Sequence, residues 1–92
     1  MSTSVNRALK IVNEKGLHAR ASAKLVEVVE GFDATAEVAR DGMSASGDSI
    51  MGLLMLAAAK GSTIEVQTSG PDAEALADAV EALVADRFGE DC

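Results

Sequence analysis

Gly16-Leu17-His18-Ala19-Arg20 is the stretch where the hydrophobic period of the chain changes, and with it the structure the residues specify. Before it, Val5, Leu9 and Ile11 share one face of an alternating segment and Asn6 and Lys10 the other, so residues 5–12 read as a strand. Asn13, Glu14, Lys15 and Gly16 form a turn. After it, Ala21, Leu25, Val28 and Phe32 recur at i, i+4, i+7 and i+11, and Val29 widens the stripe. That spacing predicts a helix from Ala19 to Glu30. Gly31 is placed to end it as a left-handed C′ residue.

Working outward, Thr35–Arg40 alternates as a strand with Ala36 and Val38 on one face. Asp41-Gly42 is a hairpin signal, because a type I′ turn needs positive φ at both central positions. Met43–Ser46 is the return strand. Gly47-Asp48-Ser49 precedes an apolar run over residues 50–59, and Asp48 or Ser49 can cap a second helix there, closed by Lys60-Gly61. Ile64, Val66 and Thr68 alternate with Glu65 and Gln67 as a further strand. Pro71, after Ser69-Gly70, suits the first turn of a helix. Ala73, Leu76, Ala77, Val80, Leu83, Val84 and Phe88 form the stripe of that last helix, with Asp72 and Glu74 at its start, Arg87 near its end and Gly89 as its stop. The order is β-α-β-β-α-β-α. It predicts a two-layer α+β domain, a mainly antiparallel sheet with helices on one face.

The chain has 92 residues, enough for one domain over 1–92 with a core over about 5–88. With 48% apolar residues but only two Phe and no Tyr or Trp, that core is aliphatic. A net charge of −7 argues against nucleic acid, which is bound through clustered Lys and Arg, and the lack of aromatic platforms argues the same way. The single cysteine, Cys92, forms no internal disulfide and reads as a loose terminal thiol. Met1-Ser2-Thr3-Ser4 is polar and lacks a signal-peptide stretch. The apolar run 50–59 is well short of the ~20 residues that span a bilayer. A cytoplasmic protein with no membrane association is expected.

His18 is the only histidine. Ser, Thr, Asn or Asp would serve better at a helix N-cap, so helix stability does not explain an imidazole there. Chemistry does. An unperturbed imidazole has a pKa of about 6.5, so its nucleophilic neutral form is abundant at pH 7. A helix N-terminus disfavours imidazolium and favours anions by roughly 0.3–1 kcal/mol at exposed sites. The backbone N–H groups of Ala19, Arg20 and Ala21 can donate to phosphoryl oxygens. The Arg20 guanidinium can add charge-assisted bonds to the same oxygens. These parts suit a histidine that carries a phosphoryl group.

Other chemistries lack parts. With no second histidine and only a terminal cysteine, neither a zinc cluster nor a Cys-His pair is expected. No serine is marked as the partner of a His base, and there is no P-loop. The chain is expected to be a carrier rather than an independent enzyme, with no cofactor and no metal. The class weighed against it is a regulatory binding module that acts by contact alone.

Gly16-Leu17-His18-Ala19-Arg20 resembles the active-site segment of HPr, the histidine phosphocarrier family of the phosphoenolpyruvate-dependent phosphotransferase system. Ser49-Ile50-Met51-Gly52-Leu53 resembles its second motif, and Ala59-Lys60-Gly61 before a strand fits as well. The resemblance implies an open-faced β-sandwich, a four-stranded antiparallel sheet with three helices on one side. It implies that His18 accepts a phosphoryl group on Nδ1 from Enzyme I and passes it to a IIA-type protein, with Arg20 as the arginine of the site. It also implies that Ser49 is a regulatory site for an HPr kinase/phosphorylase. The family motif has proline after the arginine where this chain has Ala21. The segment Glu27-Val28-Val29-Glu30-Gly31-Phe32-Asp33-Ala34 and Leu53-Leu54-Met55-Leu56 look more like the nitrogen-related paralogue, NPr, so a regulatory phosphorelay stands beside sugar uptake as the output. Helix 1 carries Glu27 and Glu30 with only Lys24 nearby as a basic docking residue. The apolar run cannot bury every face. The resemblance favours Ile50, Met51 and Leu54 as a partner-docking patch, and methionine suits a surface that fits several partners. A monomer is expected.

Overall fold

The computed structural model describes residues 4–90. Met1, Ser2 and Thr3, and the expected loose thiol of Cys92, lie outside the described residues. Strand β1 spans Ser4–Lys10, helix α1 Ala19–Glu30, β2 Thr35–Arg40, β3 Met43–Ser46, α2 Ile50–Met55, β4 Thr63–Ser69 and α3 Ala73–Ala85. The strands form one four-stranded sheet in the order β1-β4-β2-β3, and every neighbouring pair is antiparallel.

Register explains which side is covered. Leu9 stands opposite Ile64, and Val38 opposite Val66. The two-residue alternation puts these on one face with Ala36 and Thr68, and all are buried. The Thr68 hydroxyl is satisfied by donating to Ala73 O at 2.6 Å. The opposite face carries Asn6, Ala8, Lys10, Glu37, Glu65 and Gln67 and is open to solvent. This is the expected α+β architecture, a sheet with its helices on one face. Arg7 shares the covered side of β1 and reaches α3, pairing with Asp78 at 2.9 Å and Glu81 at 2.8 Å.

The core between the layers is aliphatic apart from one ring. Ile11, Leu25, Leu53, Leu76, Val80 and Phe88 are each 0% exposed. Asp41 and Gly42 have φ of 51° and 81°, the left-handed pair that the β2–β3 hairpin requires. Ser49 caps α2, its Oγ accepting from Gly52 N–H at 3.1 Å.

Several expectations are corrected. Strand β1 stops at Lys10 rather than at 12, although Ile11 still bonds backbone to backbone with Ser62 and Gly61. Gly31 ends α1 with φ −80°, right-handed rather than left-handed, because its N–H and that of Phe32 fold onto Val28 O and Val29 O in a tightened last turn. On α1, Ser22 and Val26 are buried, while Val28 and Phe32 are only half-buried. The helix packs against both α2 and α3, so its covered face is wider than one stripe. Pro71 sits before the N-cap of α3, Asp72, rather than inside the first turn. Asp72 makes no side-chain cap. Its Oδ2 accepts from Asp33 N–H at 2.8 Å and ties the start of α3 to the end of α1.

Helix α2 ends at Met55, well before 59. Two contacts stop it. Arg40 Nη1 donates to Leu56 O at 3.0 Å, and Leu17 N–H donates to Ala58 O at 2.8 Å, drawing that residue out of helical register. Between them Ala57 takes φ 51°. The approach needs Gly16, because a Cβ there would lie 2.4 Å from Ala58 O and its φ is +66°. Helix α3 likewise ends at Ala85, so Phe88 and Arg87 do not lie on it. Both belong to the turn Arg87–Gly89, whose φ values are 56°, 54° and 77°. Left-handed backbone costs an L-residue roughly 1–2 kcal/mol. Burying the Phe88 ring contributes about 1.5–3 kcal/mol and offsets much of that.

Candidate functional site

The segment from Asn13 to Ala21 turns the chain from sheet to helix. Gly16 N–H donates to Asn13 O at 3.2 Å, and His18 N–H to Gly16 O at 3.0 Å. Leu17, 3% exposed, pins the turn to the core. His18 is then the N-cap of α1, with extended backbone at φ −81° and ψ −175°. Its carbonyl accepts the first helical bond from Ser22 N–H at 2.8 Å.

The ring itself does the capping. Nδ1 accepts from Arg20 N–H at 3.3 Å, where a serine or aspartate oxygen would sit. N-cap preferences assign no stabilising role to a histidine here; the nitrogen lone pair supplies one. Among the described residues none of the N–H groups of Ala19, Arg20 and Ala21 has a backbone acceptor, and of the three Arg20 N–H alone bonds the ring nitrogen. The first turn of α1 itself holds no acidic side chain.

The other ring nitrogen has a partner that sequence reasoning missed. His18 Nε2 is bonded to Glu90 Oε2. A carboxylate only accepts, so the proton belongs on Nε2 and the lone pair on Nδ1. Glu90 is fixed in turn by Asn13, whose Nδ2 donates to Glu90 Oε1 and to Gly16 O, each at 2.8 Å. Asn13 is fully buried, and its Oδ1 has no hydrogen-bond partner among the described residues. The Glu90 carboxyl is held below the usual carboxylate range, first by the bond from Asn13 and then by the bond to and charge of His18, with burial opposing.

The tail reaches His18 because Phe88 is anchored. Lys24 Nζ donates to Phe88 O at 2.7 Å, and Glu90 N–H folds back on Arg87 O at 2.9 Å. The one basic residue expected to help docking on α1 is thus tied to the tail. No periodic or spacing signal marks Glu90; only its position just after a buried Phe88 would have pointed to it.

The remaining candidates are spread around this centre. The Arg20 side chain is exposed and forms no ion pair among the described residues. Ser49 is half-buried at its cap, and the neighbouring Asp48 accepts from Ser46 Oγ at 2.5 Å. Of the expected docking patch, Ile50 and Met51 are 40% and 70% exposed, but Leu54 is half-buried. Met55, one turn beyond Met51, is 69% exposed. Among the described residues there is no metal-ligand cluster, and no helix is long and apolar enough to cross a membrane.

Comparison with known proteins identifies the family of the chain. Residues 5–86 match the family described as the PTS HPr component phosphorylation site. The phosphocarrier protein HPr of Cupriavidus necator is 46% identical over 94% of this chain and 97% of its own length. The phosphocarrier protein NPr of Escherichia coli K12 is 43% identical over 96% and 99%. The crystal structure of HPr-C-His from Thermoanaerobacter tengcongensis superposes with a TM-score of 0.90 at 30% identity, covering 96% of this chain and 99% of that one.

Proposed function

Because the chain belongs to the HPr family of the phosphotransferase system and is a phosphocarrier working with proteins of that system, we propose that His18 Nδ1 is the atom that carries the phosphoryl group. The observation behind this reading is the ring's placement. Nδ1 accepts from Arg20 N–H in the first turn of α1, while Nε2 is turned to Glu90.

The donor is Enzyme I and the acceptor a IIA-type protein, reached in the cytoplasm by a monomer. The Nδ1 lone pair attacks phosphorus as the donor's nitrogen leaves with its electron pair. The Arg20 N–H gives up Nδ1, and with the N–H groups of Ala19 and Ala21 it turns to the phosphoryl oxygens. The exposed Arg20 guanidinium adds charge-assisted bonds to the same oxygens. The helix end favours this anion only moderately, which keeps the group transferable. The near-equal identity to an HPr and an NPr leaves sugar uptake and a nitrogen-related relay as alternative destinations for the same chemistry. Ser49 enters as a regulatory site for an HPr kinase/phosphorylase, since phosphate at that cap adds charge beside the exposed face of α2. Intact-mass spectrometry after incubation with phosphoenolpyruvate and Enzyme I tests the carrier reading: one acid-labile phosphoryl group is expected, and none would contradict it.

Docking falls to Ile50, Met51 and Met55, with Leu54 supporting them from its half-buried position. Met51→Glu places a charge on that patch without touching the core. It is expected to slow transfer from Enzyme I by about tenfold or more, through lost apolar contact, with thermal stability unchanged. Unaltered transfer kinetics would remove Met51 from the interface.

A further inference from the structure

The bond between Glu90 and His18 has a consequence for the whole transfer cycle, given that His18 is the carrier. When neutral imidazole accepts the group, Nδ1 forms the N–P bond and the ring becomes an imidazolium that keeps its Nε2 proton. When it donates, the N–P bond breaks, the electron pair returns to Nδ1, and the ring is neutral again with the same proton on Nε2. No proton has to enter or leave. If the Nε2 proton is lost from the phosphorylated ring, the leaving group becomes an imidazolate anion and transfer slows.

We propose that Glu90 is a positioning residue that keeps the proton on Nε2 through both half-steps, and that Asn13 holds Glu90 in place to do so. This rests on His18 being the phosphoryl carrier. The geometry is built for it. Glu90 is 14% exposed at its side chain, one oxygen on Asn13 and the other on His18. Asn13 is itself fully buried and also fastened to Gly16 O. The left-handed turn Arg87–Gly89, pinned by the Phe88 ring and by Lys24, presents Glu90 at that spot. The charged surroundings do not duplicate the effect. Lys15 acts on Glu90 through space, Lys24 is bonded to the Phe88 carbonyl, Arg20 is exposed, and α2 carries no charged residue.

The test is the pH profile of phosphoryl loss from phosphorylated full-length wild type, Glu90→Gln and Asn13→Ala. Gln keeps an oxygen for the Nε2–H bond and removes the charge. In wild type, loss slows as pH rises and the Nε2 proton leaves. In Glu90→Gln the midpoint is expected to fall by about one pH unit, making loss about tenfold slower above the wild-type midpoint. Rates well below both midpoints are expected to be equal. Asn13→Ala is expected to shift the midpoint the same way by a smaller amount. A purely structural role for Glu90 would not move it. An unchanged profile in a Glu90→Gln chain that does take up the group overturns the proposal, whatever Asn13→Ala does. If wild type takes up no group, the carrier reading fails and this inference fails with it.

Discussion

A His18→Gln chain takes up no acid-labile phosphoryl group and keeps its fold. Glutamine is chosen because its amide repeats the hydrogen-bonding roles of the ring. Its carbonyl oxygen can accept Arg20 N–H as Nδ1 does, and its N–H can donate to Glu90 as Nε2 does. What it lacks is a nucleophilic nitrogen lone pair, since the amide nitrogen's pair is delocalised. Stability is expected to stay within about 1 kcal/mol of wild type, the scale of a single hydrogen bond. Phosphoryl uptake falls below detection. Intact mass and thermal unfolding measured on the same preparation separate the two effects. Uptake retained by the variant would move the chemistry to another residue.

Phe88→Ala is expected to cost about 3–5 kcal/mol, the usual range for emptying a fully buried aromatic site. Against a typical domain stability of about 5–15 kcal/mol this is a large share. For a domain of this size each kcal/mol shifts the midpoint by roughly 4–8 °C, so Tm drops steeply. The loss has a second part. Phe88 is 0% exposed at φ 54°, in the turn that brings Glu90 to His18. Without the ring nothing offsets the left-handed backbone, and the tail leaves the site. Urea unfolding measures the first part, and the backbone shifts of Glu90 and His18 report the second. A change under about 1 kcal/mol would mean that the ring is not seated as described.

These two residues also mark what the sequence conceals. Local pattern governs α1, β2 and β3, whose limits match the reading, because there the apolar period and turn residues such as Asp41-Gly42 agree with the tertiary packing. Pattern fails where a distant group intervenes. Residues 50–59 look helical throughout, yet Leu17 claims Ala58 O and Arg40 claims Leu56 O. Phe88 falls on the helical stripe of α3 by spacing but reaches the core from a left-handed turn. At the site, His18 and the N–H groups of Ala19, Arg20 and Ala21 were legible from a loop-to-helix change. Glu90 and Asn13 were not, because their bond joins the two ends of the chain and leaves no local signal.

The central claim concerns one atom, so the most direct measurement identifies it. Phosphorylated chain labelled with 15N, examined by 31P and 1H–15N NMR at alkaline pH, reports which imidazole nitrogen bears phosphorus. The account predicts a single phosphohistidine, His18, bonded through Nδ1. A phosphoryl group on Nε2, on a serine or on no residue at all would contradict it.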